Sequence, residues 1–261
     1  ISIRRPADFT VRSGAAMSTQ DVIEGKTTLT IDQQKGVDFQ FTSTDLTLKV
    51  EDMAERIIKP AMTNLANSIA QDVLDTMYKG AYNWVGTPGQ SINSFSDFLK
   101  IPKRLDQMTV PSGDRNCVLS PDDFYDLIGS QTNLFAPGLV QSAYRDGDLG
   151  RLSGVSTMMT QVVPTHTVGA HGGTPLVNGA AQNVTYDTAK NTWTQSLVTD
   201  GWTNSITGIL KEGDVFTIAN VYMVNAKTKA TTNILQQFVV TADADSGAST
   251  GPATLTISPP I

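Results

Sequence analysis

The sequence predicts an α+β protein in which an extended β-arm, one long helix, a mixed α/β segment and a small antiparallel β-barrel follow one another. Three observations carry that expectation. Apolar residues recur at helical spacing from Leu46 to Met77, as one buried helix face requires. A strand, a capping serine and a helix succeed one another around "NCVLSPDDFYDL". Short alternating segments separated by glycine, threonine and asparagine fill the last third of the chain, which is the pattern of an antiparallel barrel or sandwich.

Residues 1–44 read as an arm. Leu29 and Ile31 alternate on one side of "QQKG", Val37, Phe39 and Phe41 on the other, and Ile3–Val11 precedes them across the glycine-flanked "SGAAMSTQDVIEG". Such a hairpin is unstable in water unless it lies on something, and the missing support is expected to be another subunit. Thr28, Leu29, Ile31, Val37, Phe39 and Phe41 are the candidate contact residues there. Residues 45–80 predict the long helix, capped by Thr44 or Asp45, ended by Gly80, and kinked or divided at Pro60. If continuous it spans roughly 50 Å, more than a compact domain of this size needs.

Residues 81–166 predict the α/β segment, with an amphipathic helix over Ser96–Thr109 disturbed at Pro102. The strand "NCVLS" then feeds a helix capped by Ser120, with Pro121 at its first position and Asp122 and Asp123 at its positive end. From about Gly169 the pattern predicts a small antiparallel barrel or sandwich, with strands at Thr192–Val198, Asp214–Ala219, Val221–Asn225, Gln237–Thr241 and Ala253–Ile257 and a boundary near 165–180. "NAKTKATTN" is a loop whose Lys227 and Lys229 are further contact candidates.

The composition bounds the function. The 261 residues are 39% hydrophobic and only 17% charged, below the usual quarter, a surface suited to extended contacts with other chains. A formal net charge of −6 argues against a nucleic-acid-binding face, though such a wall tolerates an enclosed polyanion. With one cysteine, Cys117, neither an intrachain disulfide nor a cysteine metal cluster is possible. Its setting reads as a buried strand with a structural thiol. No stretch approaches the ~18 apolar residues of a membrane span, and none reads as a signal peptide. The chain runs from Ile1 to "SPPI", and both ends are expected to be cuts inside a longer polypeptide.

The chain lacks the parts of an active site. There is no G-x-S-x-G, P-loop, H-E-x-x-H or dinucleotide fingerprint. His166 and His171 could supply two metal ligands but have no evident third in the sequence. Asp243 and Asp245 begin like a calcium loop, yet Thr254 stands where the bidentate glutamate belongs. Asp122 and Asp123 serve a helix start better than an acid–base pair, and Asp214 in "EGDVF" reads as the cap of a turn before an edge strand. No catalytic, cofactor or metal residue is assigned.

Taken in order, "GVDFQFTSTDLTLKVEDMAERIIKPAMTNLAN", "VLSPDDFYDL", "AYRDGDLGRLSGV", "VVPTHT", "EGDVFTIANV" and "ATLTISPPI" resemble the coat proteins of short-tailed lambdoid phages. The resemblance covers nearly the whole chain. It implies the Hong Kong 97-type capsid fold, with 1–44 as the extended-loop arm, 45–80 as the spine helix, 81–166 as the first part of the axial domain and 167–261 as an inserted Greek-key barrel. It implies a major capsid subunit that self-assembles into an icosahedral head around DNA, in the virion and, during assembly, in the host bacterial cytoplasm. Its partners would be other copies in hexamers and pentamers, a scaffolding protein, a portal and packaged double-stranded DNA, with no membrane and no small-molecule substrate. The connection around Tyr186–Asn191 is shorter than the family's acid-tipped loop, which puts that loop's symmetry-axis contact in doubt. A phage tail, decoration or carbohydrate-binding module with a β-rich binding domain remains the alternative, and exposed Trp or Tyr clusters would favour it.

Overall fold

The computed structural model describes residues 1–7, 9–40, 53–131 and 146–261. The arm begins with β1 (Ser2–Arg4), which pairs antiparallel with β2 (Lys26–Thr28), Ile3 opposite Thr27. Hydrogen bonds between Ile1 and Leu29 extend the pairing by one step, at 2.7 and 2.9 Å. This corrects the expected hairpin about "QQKG": Leu29 and Ile31 do not pair with Val37 and Phe39, and no strand lies among residues 29–40. Lys35 reaches the long helix, where its Nζ donates to Ser68 Oγ at 2.7 Å and forms an ion pair with Asp72, so the segment lies against the helix.

The long helix starts among the described residues as a π-helical turn at Ala54–Ile58 and continues as α1 (Lys59–Lys79). Its expected start at Asp45 lies outside the described residues. Pro60 divides it as expected but without a sharp break. Proline has no N–H to offer the carbonyl four residues back, and the Lys59 N–H instead bonds Ala54 O, five residues back, which widens the turn into a π-bulge. α1 contains no buried residue.

The α/β segment carries α2 (Phe95–Phe98), α3 (Lys100–Gln107), β3 (Arg115–Leu119), α4 (Pro121–Gln131), β4 (Arg151–Leu152) and β5 (Val155–Met159). The predicted single helix over 96–109 is two, broken at Leu99 rather than at Pro102. Pro102 falls in the first turn of α3, where its missing donor leaves no carbonyl unpaired. Ser94 caps α2, its Oγ accepting from Asp97 N at 3.1 Å. Ser120 caps α4 in the same way, accepting from Asp123 N at 3.2 Å, as the sequence predicts. β3 lies parallel to β5, Cys117 opposite Thr157, and β4 completes the sheet order β3-β5-β4. Phe98, Leu119, Phe124, Leu127, Leu149, Leu152 and Val155 form its core.

The last third holds β6 (Gly173–Val177), the short α5 (Tyr186–Ala189), β7 (Gln195–Trp202), β8 (Val215–Val224), β9 (Thr231–Val240) and β10 (Ala253–Ser258). They form one antiparallel sheet in the order β6-β7-β10-β9-β8. Leu197 pairs with Leu255, Val240 with Ile257 and Phe216 with Phe238. The edge strands β6 and β8 are not paired with each other, yet both line one cavity of about 480 Å³ with Leu197, Trp202 and Leu255, so the sheet is rolled. Its core includes Leu197, Ile209, Leu210, Phe238, Leu255 and Ile257. The two strands expected over 214–225 are one, β8. Its register shifts between Thr217 and Tyr222, and Asn220 takes a φ of 66° there, a conformation asparagine tolerates better than most residues.

Candidate subunit-contact surfaces and the helix–sheet junction

The predicted contact residues lie on two separate elements. Thr28 closes β2, opposite Ser2. Leu29, Ile31, Val37 and Phe39 follow it along the arm, each at least 44% exposed and Ile31 83%. Phe41 lies outside the described residues. Lys227 and Lys229 are exposed on the turn joining β8 to β9. There Asn225 Oδ1 accepts from Lys227 N at 2.9 Å and from Thr228 N at 3.0 Å, an Asx turn that holds the tip.

A third surface extends the set. Along the π-helical turn and α1, Ile58, Met62, Ile69, Val73 and Met77 are all exposed and share one side of the helix by their spacing. Ile69, Val73 and Met77 belong to the stripe the periodicity predicts, whereas its Met53, Ile57, Ala61 and Leu65 are half-covered and Leu46 and Val50 lie outside the described residues.

The two histidines and Asp214 meet at a single junction. Asp214 is buried, with its side chain 1% exposed. Its Oδ1 lies 2.8 Å from His166 Nε2, and its Oδ2 accepts from Gly169 N at 3.0 Å and Lys211 N at 2.7 Å. His171 Nε2 stands 3.5 Å from Oδ2. On the far side of the His166 ring, Nδ1 is 3.4 Å from Tyr78 Oη at the end of α1, and the two rings meet edge-on with centroids 5.6 Å apart. Gly213, at φ 98°, lets the backbone pass: a Cβ there would stand 3.1 Å from His166 Cε1 and 3.4 Å from Tyr78 Cε2. Burial works against ionisation of Asp214, but the Lys211 amide, the His166 ring, the Gly169 amide and the nearby His171 together outweigh it and hold the carboxyl below the usual carboxylate range.

Asp214 does cap the turn before an edge strand, as the sequence suggests, and it also ties that turn to the chain entering the sheet and, through His166, to the helix. Sequence reasoning missed Tyr78 and the burial. The one available signal was that both histidines of the chain precede a Gly-Asp step across an expected boundary. The outer partner of His166 is the phenol of Tyr78. Although two histidines flank one carboxylate, no group of His, Cys, Asp and Glu among the described residues could hold a metal ion.

The other acidic candidates close loops. Asp243 Oδ1 accepts from Glu212 N at 2.8 Å and Asp245 Oδ1 from Gly208 N at 2.7 Å, so these carboxylates pin the 206–212 loop. Cys117 is partly enclosed on β3, and burial pushes its thiol up to about 11, as a structural thiol requires. No helix among the described residues is long and apolar enough to cross a membrane.

Comparison with known proteins gives a consistent kinship. A curated major capsid protein of Acyrthosiphon pisum secondary endosymbiont phage 1 is 22% identical over 194 residues, 74% of this chain and 45% of that protein. The chain therefore spans less than half the length of that relative. A solved structure from Mycobacterium phage Che8 aligns with 98% of this chain and 77% of its own at 14% identity and a TM-score of 0.51. The capsid structure of the Cyanophage P-SCSP1u aligns with 98% of this chain and 78% of its own at 14% identity and a TM-score of 0.47. The model of the family described as P22 coat protein - gene protein 5 matches residues 2–260. With so nearly all of its residues accounted for by one family model, the chain belongs to the P22 coat protein family.

Proposed function

We propose that the chain forms part of a major capsid subunit of a tailed bacteriophage or prophage, working through contacts between copies rather than through catalysis. The observation that carries this reading is the match of one coat-protein family model to residues 2–260; α1, with an apolar face that the described residues leave uncovered, needs further chain to pack on. A helix of about 32 Å with such a face gains little stability by itself; packing against neighbouring chain would supply it. The arm presents the same chemistry. Contacts of this kind are individually modest, and closed symmetry multiplies each one.

In this reading residues 1–44 are the extended loop, 45–80 the spine helix, 81–166 the first part of an axial domain and 167–261 an inserted β-barrel, on the Hong Kong 97-type plan. The partners are other copies in hexamers and pentamers, with a scaffolding protein and a portal during assembly in the host cytoplasm. Packaged double-stranded DNA is enclosed without sequence readout, which an acidic chain permits. A carbohydrate-binding module is the weaker reading. Trp202 is buried, with its Nε1 donating to Thr199 Oγ1 at 2.8 Å, the Arg5 guanidinium stands over Trp193, and the exposed Tyr186 and Tyr222 lie on different elements, α5 and β8.

Removing Thr27–Phe41 from the full-length subunit is expected to leave a soluble, folded body that no longer forms shells, seen by sedimentation velocity as slow species only. Shell-sized particles from that deletion would overturn the proposal.

A further inference from the structure

One residue of the arm is buried while nearly all of its neighbours are exposed. Gly25 packs against the turn that follows α5, and a Cβ on it would overlap the carbonyl oxygen of Lys190. Only glycine permits that approach. The next residue fastens the contact: Lys26 N donates to Asn191 Oδ1 at 3.1 Å. From the opposite strand the Arg5 guanidinium stands over the Trp193 ring, 5.9 Å from its centroid, while Arg5 Nε donates to Thr27 Oγ1 at 2.8 Å and Arg5 N to Gly25 O at 2.8 Å. A guanidinium over an indole face is favourable electrostatically as well as through packing.

The turn that receives these residues is built as a rigid seat. Trp193 N donates to Ala189 O at 2.7 Å, and the Trp193 ring meets Tyr186 edge-on at 5.9 Å. Thr185 caps α5, accepting from Thr188 N at 3.4 Å, and Ala189 is buried beneath. Fixed side chains bind without first having to be ordered.

We propose that the Lys190–Trp193 turn is the seat of the arm of its own chain. β1 and β2 dock there through Arg5, Gly25 and Lys26, and Lys35 pins the returning segment to Ser68 and Asp72 of α1. The arm is thus held at two points of its own subunit, and the part between β1 and β2 leaves in a set direction toward a neighbour. A turn occupied in this way is not available for a contact across a symmetry axis. The assignment of a role to that direction rests on the capsid reading; the docking does not.

The test is limited trypsin digestion of unassembled full-length subunits, followed bond by bond by mass spectrometry. Lys26–Thr27 and Lys190–Asn191 lie in the seat, whereas Arg12–Ser13 lies in the exposed arm outside it and serves as the internal control. The unaltered chain is expected to be cut at Arg12–Ser13 first. In Gly25→Val, and separately in Arg5→Ala, which leaves the sheet core untouched, cleavage at Lys26–Thr27 is expected to accelerate about tenfold while Arg12–Ser13 is unchanged, because proteolysis follows the open population. Equal rates at Arg12 and Lys26 in the unaltered chain, or no acceleration in either variant, would overturn the seat. Because the subunits are unassembled, this result is independent of whether they form shells.

Discussion

Asp214 accepts hydrogen bonds from two backbone amides and stands against a histidine, and removing its carboxylate orphans groups in three places. Asp214→Ala is expected to lower the stability of the β-rich part by about 2–4 kcal/mol, measured by urea unfolding at pH 7. The pH dependence has a definite sign. A carboxyl held below its unfolded value contributes stability that is fully present above the unfolded pKa, near 4. That contribution is lost as the pH falls through the folded value, so the difference between the parent protein and Asp214→Ala should shrink on acidification below about pH 4. A gap that stays constant down to acid unfolding would show that the carboxylate is not what the junction depends on. Cys117 gives a second check at this scale. A thiol pushed up to about 11 should react with iodoacetamide at pH 8 much more slowly than after unfolding in urea. Neither feature was fully legible in the sequence. The cysteine's strand was visible from its own neighbours, but Asp214 meets His166 across 48 positions, and no local pattern reports such a meeting.

Elements with a local signature were the most readable. The Ser120 cap of α4 and the edge-strand turn at Gly213 arise from nearest neighbours on the chain, and each is found; the Ser94 cap of α2 was not read from the sequence. The pairing of β1 with β2 is different: the strands are three residues each and lie across a long polar connection, whereas the tempting alternation about "QQKG" is closer in sequence and does not pair. There Lys35 joins the segment to the helix across more than thirty positions, a contact no local pattern reports. The division at Leu99 was misplaced because proline is tolerated in a first helical turn. For α1 the exposed stripe gives a direct prediction. Ile69→Gln with Val73→Gln in the full-length subunit should leave its helical circular dichroism unchanged while assembly into shells falls severely. A loss of helical circular dichroism with no effect on assembly would place the stripe in a structural role within the subunit instead.

For the whole molecule, two cores with no buried residue in common are joined by the reciprocal hydrogen bonds between Trp84 and Gln237 at 3.0 and 2.8 Å, and the His166–Asp214 junction ties the sheet to the end of α1 at Tyr78. If 167–261 is an insertion, residues 170–261 expressed alone should give a dispersed, β-rich NMR spectrum; a collapsed spectrum would count against its independence. The succession of arm, rod, α/β part and rolled sheet was legible because each has its own residue pattern. How a subunit uses them was legible only from the family resemblance, since contact residues are ordinary apolar and basic side chains with no chemical signature. The central claim is self-assembly, and negative-stain electron microscopy of the full-length subunit, co-expressed with a scaffolding partner, tests it most directly. The account predicts closed shells of uniform diameter; dispersed subunits or shapeless aggregates under those conditions would contradict it.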